Sequence, residues 1–485
     1  MLRILPLIFI FTLFFLKAFY MLDPDFGWHI KMGELILFSG IPATDPFSYT
    51  MSSFPFVDHE WGINILMRLI YENLGWVFMS ALFALVTILV VLIPLGGSLK
   101  KYILLPFILA GGSFLFFAGI RPQVITWLFF SVLVTILLRK KYYEKFRLAL
   151  PILFLFWANI HGGFPVGIAV YLLFLAIEFY EKRKLEKIDV VLFAISIFAT
   201  LINPYGIRLW GEVWMQMSDS SLRWNIMEWK PAVFTFYPAV LGLFAFSFSF
   251  LLMFRKSFTL FEKALYFCLL LAGLSSVRHV PLWVIIASPI LLKGLVLLGE
   301  KAGKIKYGRE RFEKAYKFSF IMAIIFILIP VLSKRENPFL VNEENFYPKK
   351  AVNFLRENPS NGQVFSNYGW GGYLIWKYPE KKVFIDGRMP SWSWDKKIPG
   401  ESTYVFKEYL SLSDVNAKFE SSAVKYGIDT VLLPVPKESK ESTDRLTIWL
   451  FGKFNKNKNE DIHKKLKREG WKVIYKDGVA QIYRR

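Results

Sequence analysis

Apolar runs close to the roughly 20 residues that a helix needs to cross a bilayer recur along this chain, and they stop near residue 333. They fall at 4–22, 76–97, 102–120, 123–138, 148–160, 164–180, 188–202, 232–253, 259–274, 280–299 and 318–333. The reading is a polytopic α-helical membrane protein with about eleven membrane helices. The run at 148–160 is short for a span and reads as half-buried or broken. Overall, 54% of the 485 residues are hydrophobic, too apolar for a soluble protein. Residues 334–485 are mixed and polar, and they predict a separate soluble domain. The boundary falls in Ser333–Pro338, a polar stretch ending in proline. No small-residue cleavage site follows the first run, and Asp23-Pro24-Asp25 comes directly after it, so an uncleaved helix is expected.

The formal net charge of +21 does not call for nucleic acid. Basic residues gather in alternate loops: Lys100-Lys101, Arg139 to Arg147, Lys182 to Lys187, Arg255-Lys256 and Lys301 to Lys317. That alternation puts these loops in the cytoplasm. Residues 334–485 carry 28 Lys and Arg against 19 Asp and Glu, which suits a domain beside anionic lipid headgroups. The single cysteine, Cys268, excludes an intrachain disulfide and a cysteine zinc site. Abundant Lys, Glu and aromatics lean towards a thermophile.

With the basic loops inside, the first outer loop (23–75) and the C-terminal domain lie on the extracytoplasmic side of the cytoplasmic membrane. Four of the five histidines, His29, His59, His161 and His279, also fall in outer loops. The first outer loop reads as two interfacial helices with acids at their starts. Asp25 is placed to cap a helix running to about Phe38 and stopping at Ser39-Gly40. That puts Asp25 and His29 one turn apart on one face. Asp45 begins a turn-rich connection, and Asp58 is placed to cap a second helix through Trp61, Ile65 and Leu69. In the tail, helices are expected at 348–357 and within 410–427, and strands at 382–385 and 428–433. A hairpin is expected at 471–475 and 479–483. Gly369-Trp370-Gly371-Gly372 reads as a turn. The tail is therefore a small mixed α/β domain.

Ionisable groups packed between membrane helices are costly and so mark function. The outer loops supply the acids Asp23, Asp25, Asp58 and Glu60 and the histidines His29 and His59. Arg121, Arg208 and Arg278 stand at outer ends of spans, against the positive-inside trend. Arginine's planar fork of donors suits a phosphate. His279 pairs with Arg278, and His161 precedes two glycines that permit close approach. The oxygens of Asp25, Asp58 and Glu60 also suit a hard divalent cation such as Mg or Mn.

The stretches DPDFGWHIKMGELILFSGIPATDPFSYT, DHEWG, WANIHGGFPVG, NPYGIRLW, VRHVPLW, NYGWGGYLIW and VFIDGR run from residue 23 to about 388. With the first span, the acidic outer loop and the outer C-terminal domain, the chain resembles the GT-C superfamily. These are membrane glycosyltransferases that use polyprenyl-phosphate-linked sugars. The closer resemblance is to a set of largely uncharacterised bacterial membrane proteins. The resemblance implies a transferase that moves a sugar from a polyprenyl-phosphate donor to a glycan, lipid or protein acceptor of the cell envelope. It implies that an acid just after the first span, Asp23 or Asp25, activates the acceptor, with His29, Asp58, His59 and Glu60 beside it. Arg278, His279, Arg121, His161 and Arg208 are the expected phosphate and donor contacts. Residues 364–373 are similar to the Trp-Trp-Asp-Tyr-Gly element of oligosaccharyltransferase catalytic subunits, which helps select the acceptor peptide. This places Asn367, Tyr368 and Trp370, with Asp386 and Arg388, on the acceptor side. Asn367 stands where that element has Asp and its paired Trp is absent, which argues against peptide-sequon recognition. Two other readings use the same features: a transporter or flippase for lipid-linked glycans, and a non-catalytic assembly protein.

Overall fold

The computed structural model describes residues 4–96, 102–231, 238–332, 341–412, 418–436 and 462–485. Lys100-Lys101, the boundary expected at 333–338, and parts of the runs expected at 76–97, 232–253 and 318–333 lie outside these residues.

The first helix, α1 (Leu5–Tyr20), carries Pro6 in its first turn, where a missing N–H breaks no helical bond. The second, α2 (Phe26–Ser39), ends at Gly40 with φ 82°. The third, α3 (Trp61–Leu95), is interrupted at Gly75, whose φ of 74° a side chain would resist. The segment at 61–74 is thereby set apart from the apolar run at 76–95. Among the described residues three helices are long and apolar enough to cross a membrane: Trp61–Leu95, Phe164–Lys182 and Val277–Gly303. The helices Gln123–Leu138 and Lys140–Ile160, bent by 113°, make a fourth if taken as one broken span. The short run at 148–160 belongs to that bent pair. Each of the eleven expected runs overlaps a helix. Fewer of them reach spanning length, because helices such as Leu104–Phe114 stop at 11 residues.

The tail builds a four-stranded sheet in the order β1-β2-β4-β3, from β1 (Gln363–Ser366), β2 (Ile428–Pro434), β3 (Lys472–Lys476) and β4 (Ala480–Arg484). β1 runs parallel to β2, while β2–β4 and β4–β3 are antiparallel. The expected helix at 348–357 forms at Lys349–Glu357. The one expected within 410–427 forms at Phe419–Tyr426 and ends on Gly427 in the left-handed region. Two local expectations are corrected. Residues 382–385 are not a strand of the sheet. Val383 instead makes an isolated parallel bridge to Ser48, donating to the Phe47 carbonyl at 3.0 Å and accepting from the Tyr49 N–H at 3.2 Å. The glycine run is not merely a turn, because a helix starts at Gly371 and continues to Lys377.

That bridge is part of a broad contact between the tail and the first outer loop. Thr50 donates to the Phe384 carbonyl at 2.6 Å, and Ser402 N–H donates to the Thr50 carbonyl at 2.7 Å. Tyr347 donates to the Leu22 carbonyl at 2.8 Å. Helix Gly371–Lys377 lies on α2 at a backbone-to-backbone distance that leaves no room for a Cβ at Gly27 or Gly372. The tail therefore forms a wall directly over the residues that follow the first span.

Candidate functional site

Pro24 separates two aspartates with opposite surroundings. Asp23 is buried and ion-paired to Arg121, and its Oδ1 accepts the Asp25 N–H at 3.0 Å. The Asp23 carbonyl accepts from Phe26 and the Asp25 carbonyl accepts from His29, which starts α2. Asp25 occupies the N-cap position, but its side chain makes no capping bond. The capping role expected for it is therefore corrected: Asp23 braces the turn and the Asp25 carboxylate is left over. It faces a cleft of ≈ 1230 Å³ and has no ion pair among the described residues. Burial and the neighbouring Asp23 charge push its carboxyl up to about 8, against the pull of Trp28 and Arg121. Gly387 of the tail packs on this carboxylate so closely that a Cβ there would collide with Oδ1.

One wall of the cleft is a buried polar network. His29 Nδ1 lies 2.6 Å from Asn64 Oδ1, and the Asn64 amide donates to Asp58 Oδ2 at 2.8 Å. Asp58 Oδ1 also accepts the Glu60 N–H at 3.0 Å, so Asp58 braces the turn before α3 and does not cap the helix itself. Three imidazoles surround Glu60: His161 Nε2 at 3.1 Å, His29 Nδ1 at 3.9 Å and His59 Nε2 at 4.0 Å. His161 Nδ1 accepts the Gly163 N–H at 2.9 Å, so its proton sits on Nε2, facing Glu60. Burial alone would raise Glu60. The His161 hydrogen bond and the surrounding imidazoles outweigh it and hold Glu60 well below the usual carboxylate range. Burial pushes Asp58 up to about 7 and His59 down to about 4.

The opposite side is built by the segments at 226–230 and 276–279. Val277 N–H donates to the Lys230 carbonyl at 2.9 Å and Ser276 donates to the Glu228 carbonyl at 3.0 Å, which sets Trp229 beside Arg278. The Arg278 guanidinium lies 5.0 Å from the Trp229 ring and has no ion pair among the described residues. Arg121 is committed: it pairs with Asp23 and, at 2.7 Å, with Glu228. A second, more apolar branch of ≈ 950 Å³ joins the first, with Arg121, His59, Glu228, Trp229 and Arg278 lining both. His161 and His279 line this apolar branch.

The acceptor-side candidates divide. Tyr368 and Arg388 line the polar cleft. Asn367 instead accepts the Gly369 N–H at 2.9 Å, and the buried Trp370 donates to the Phe346 carbonyl at 2.8 Å, so both serve the local fold. Asp386 is fully buried and grips Arg388 through two bonds of 2.8 and 2.7 Å. Arg388 Nη1 also lies 2.9 Å from Asp45 in the first outer loop. The rings of Phe47, Phe56 and Trp392 stand 5.0 to 5.3 Å from its guanidinium. Arg388 is thus a latch between tail and loop rather than a free acceptor contact. Arg208 is exposed and is not among the residues that line the two branches.

Several lining residues escaped sequence reasoning. Glu212 is buried on the helix Arg208–Ser218, and burial pushes its carboxyl up to about 7. It accepts from Gln216, one turn on, at 3.2 Å. Its only sequence signal is that i,i+4 pairing on an outer amphipathic helix. Glu228 lies in the short turn of helix Met227–Trp229, and nothing local distinguishes it. The metal set Asp25, Asp58 and Glu60 lines one cleft. Asp58 and Glu60 are already bonded to Asn64 and His161. Among the described residues no three His, Cys, Asp or Glu side chains are grouped to hold a metal ion. The residues present do not fit the group.

No family model matches the chain, and no curated protein matches it by sequence. Solved structures do match. One is the archaeal oligosaccharyltransferase AglB from Archaeoglobus fulgidus in complex with an inhibitory peptide and a dolichol-phosphate. It is 11% identical, with a TM-score of 0.55, covering 89% of this chain and 69% of that one. Another is the Archaeoglobus fulgidus oligosaccharyltransferase tethered to an acceptor peptide containing the NVT sequon. It is 11% identical, with a TM-score of 0.56 and the same coverage. At this identity the likeness concerns the fold. The chain therefore shares the fold of these oligosaccharyltransferases.

Proposed function

We propose that the protein is a glycosyltransferase of the outer face of the cytoplasmic membrane, moving a sugar from a polyprenyl-phosphate carrier to an acceptor. The observation that carries this reading is the pairing of an uncommitted acid with an uncommitted cation in one cleft. Among the described residues Asp25 has no ion-pair partner, and Arg278 stands where a polar chamber meets an apolar branch. The apolar branch suits the start of a polyprenyl chain, the neck its phosphate, and the polar chamber the sugar and the acceptor. Fold-mates that bind a dolichol-phosphate and an acceptor peptide support the lipid-linked donor by analogy.

In the transfer step the acceptor nucleophile bonds to the anomeric carbon as the carbon–oxygen bond to phosphate breaks. The nucleophile's proton passes to the Asp25 carboxylate. The bonding pair leaves on the phosphate oxygen, whose added charge Arg278 meets. Gly387 packs against the Asp25 carboxylate, and the tail closes the chamber from above. A carboxyl raised towards neutrality is a stronger base than an exposed aspartate, as proton abstraction requires. Pure transport would leave a half-buried acid with no ion pair among the described residues without a task, so Asp25 favours chemistry over the flippase reading.

The test uses purified full-length protein and a panel of polyprenyl-phosphate hexoses, reading release of polyprenyl phosphate in the presence of envelope extract as acceptor. Release by the wild type that Asp25→Asn abolishes is the expected result. Equal release by both proteins overturns the assignment of Asp25, and no release with any donor overturns the transferase reading.

A further inference from the structure

A helix on the surface of a soluble protein turns its apolar side in and its polar side out. The helix Arg208–Ser218 does the reverse. Its inner side carries Leu209, Glu212, Val213 and Gln216; Glu212 and Gln216 line the polar chamber and Val213 the apolar branch. Its other side carries Trp214 and Met217, with Ile207 just before the first turn, exposed by 71%, 56% and 69%. At about 3.6 residues per turn, Trp210, Gly211 and Ser218 share that side, so it bears no charge. Eleven residues reach about 16 Å, too short to cross a bilayer. The exposed face is therefore not that of a spanning helix.

The neighbouring segments indicate what covers it. The preceding helix, Lys187–Ala199, exposes Val191, Ile195 and Phe198, and Ile202 follows at the same spacing, an apolar stripe that suits lipid. Trp210 donates to the Thr200 hydroxyl at 3.0 Å, and Asn203 accepts the Tyr205 N–H at 2.8 Å, which fixes the corner between the two helices. The apolar stripe thus passes round that corner onto Ile207 and Trp214. Arg208 and Arg223 are exposed nearby, and neither has an ion pair among the described residues. The acids of the same stretch are turned away from them. Glu212 faces the cleft, Asp219 bonds Ser221 and Tyr404 of the tail, and Glu228 pairs with Arg121.

We infer that the helix Arg208–Ser218 lies in the interfacial layer of the bilayer, with Ile207, Trp214 and Met217 among the lipids and Arg208 and Arg223 against headgroup phosphates. A rigid protein partner would have to follow the corner and also supply acids to both arginines. A fluid bilayer covers both faces and brings the phosphates with it. One side of the helix then meets lipid while the other meets the cleft, so the bilayer supports the wall from which Glu212 and Gln216 project. Met217 belongs to both surfaces, because it lines the apolar branch and is itself exposed. This inference does not rest on the glycosyl-transfer reading.

The experiment attaches a nitroxide to Ile207→Cys or Met217→Cys in a full-length Cys268→Ser background. Val424→Cys, at an exposed position of the tail, serves as reference. The proteins are held in nanodiscs of phosphatidylethanolamine and phosphatidylglycerol. Power-saturation EPR reads collisions with oxygen, which concentrates in lipid, and with a nickel chelate, which stays in water. Oxygen access should exceed nickel access at 207 and 217, with the reverse at 424. Nickel access equal to or above oxygen access at 207 or 217 overturns the inference. A label shielded from both reagents also overturns it, because protein then covers the face. Arg208→Glu and Arg223→Glu together should shift the label at 217 towards water, and no shift overturns the headgroup contact. Positions 207 and 217 are read in separate proteins, so one that fails to fold leaves the other to decide.

Discussion

Arg388 and Arg278 face the same cleft and are built in opposite ways. Arg388 is sealed: two carboxylates grip its guanidinium and aromatic rings surround it. Arg278 is open: one indole flanks it and no carboxylate pairs with it among the described residues. The same contrast separates Asp23, locked to Arg121, from Asp25, which no cation among the described residues holds. A side chain whose charge is already answered inside the protein holds structure together. One whose charge is left unanswered, at a cost in folding free energy, is available to a substrate.

Five changes break or sharpen that comparison. Asp25→Asn removes the open acid and should lower donor turnover about 100- to 10,000-fold, measured as released polyprenyl phosphate, with the thermal midpoint little changed. Arg388→Gln opens the sealed site and strands Asp45 and Asp386. It should cost about 3–5 kcal/mol of stability, read by thermal or chemical unfolding in detergent. Arg278→Gln should slow turnover about 100- to 1,000-fold while leaving unfolding unaffected, the reverse of the Arg388 pattern. Asp23→Asn tests coupling between the paired and the free aspartate. Asp25 must be ionised to accept a proton, and its carboxyl is raised to about 8, so the wild-type rate should climb as pH rises through that value. Removing the Asp23 charge takes away one cause of that rise, so the climb should move to lower pH. Arg208→Gln should leave turnover within about twofold of wild type, because an exposed arginine outside the cleft has neither role.

Much of this plan is carried by local pattern. The apolar runs, the Gly40 stop of α2, the helices at Lys349–Glu357 and Phe419–Tyr426, and the hairpin of β3 and β4 all depend on neighbours in sequence. The interruption at Gly75 separates the outer segment from the span where the hydropathy changes. What sequence did not reveal are pairings across long separations. Nothing near Asp23 or Asp25 says that Arg121, 98 residues on, takes one and leaves the other. Nothing near Arg388 says that its second carboxylate is Asp45, and residues 382–385 read as a strand although their partner is a loop. Glu212 sits on an amphipathic helix, and only the assembled fold turns it inwards. Charge identity is local, but whether a charge is answered is a property of the assembled fold.

The measurement that bears most directly on this contrast is a cryo-EM structure of the protein with undecaprenyl monophosphate bound. The account predicts phosphate within hydrogen-bonding distance of Arg278, the lipid chain entering the apolar branch, Asp25 facing the space beyond the phosphate, and the Arg388 latch unchanged. Phosphate bound to Arg388 with its carboxylates displaced, or bound outside the cleft that Asp25 and Arg278 share, contradicts it.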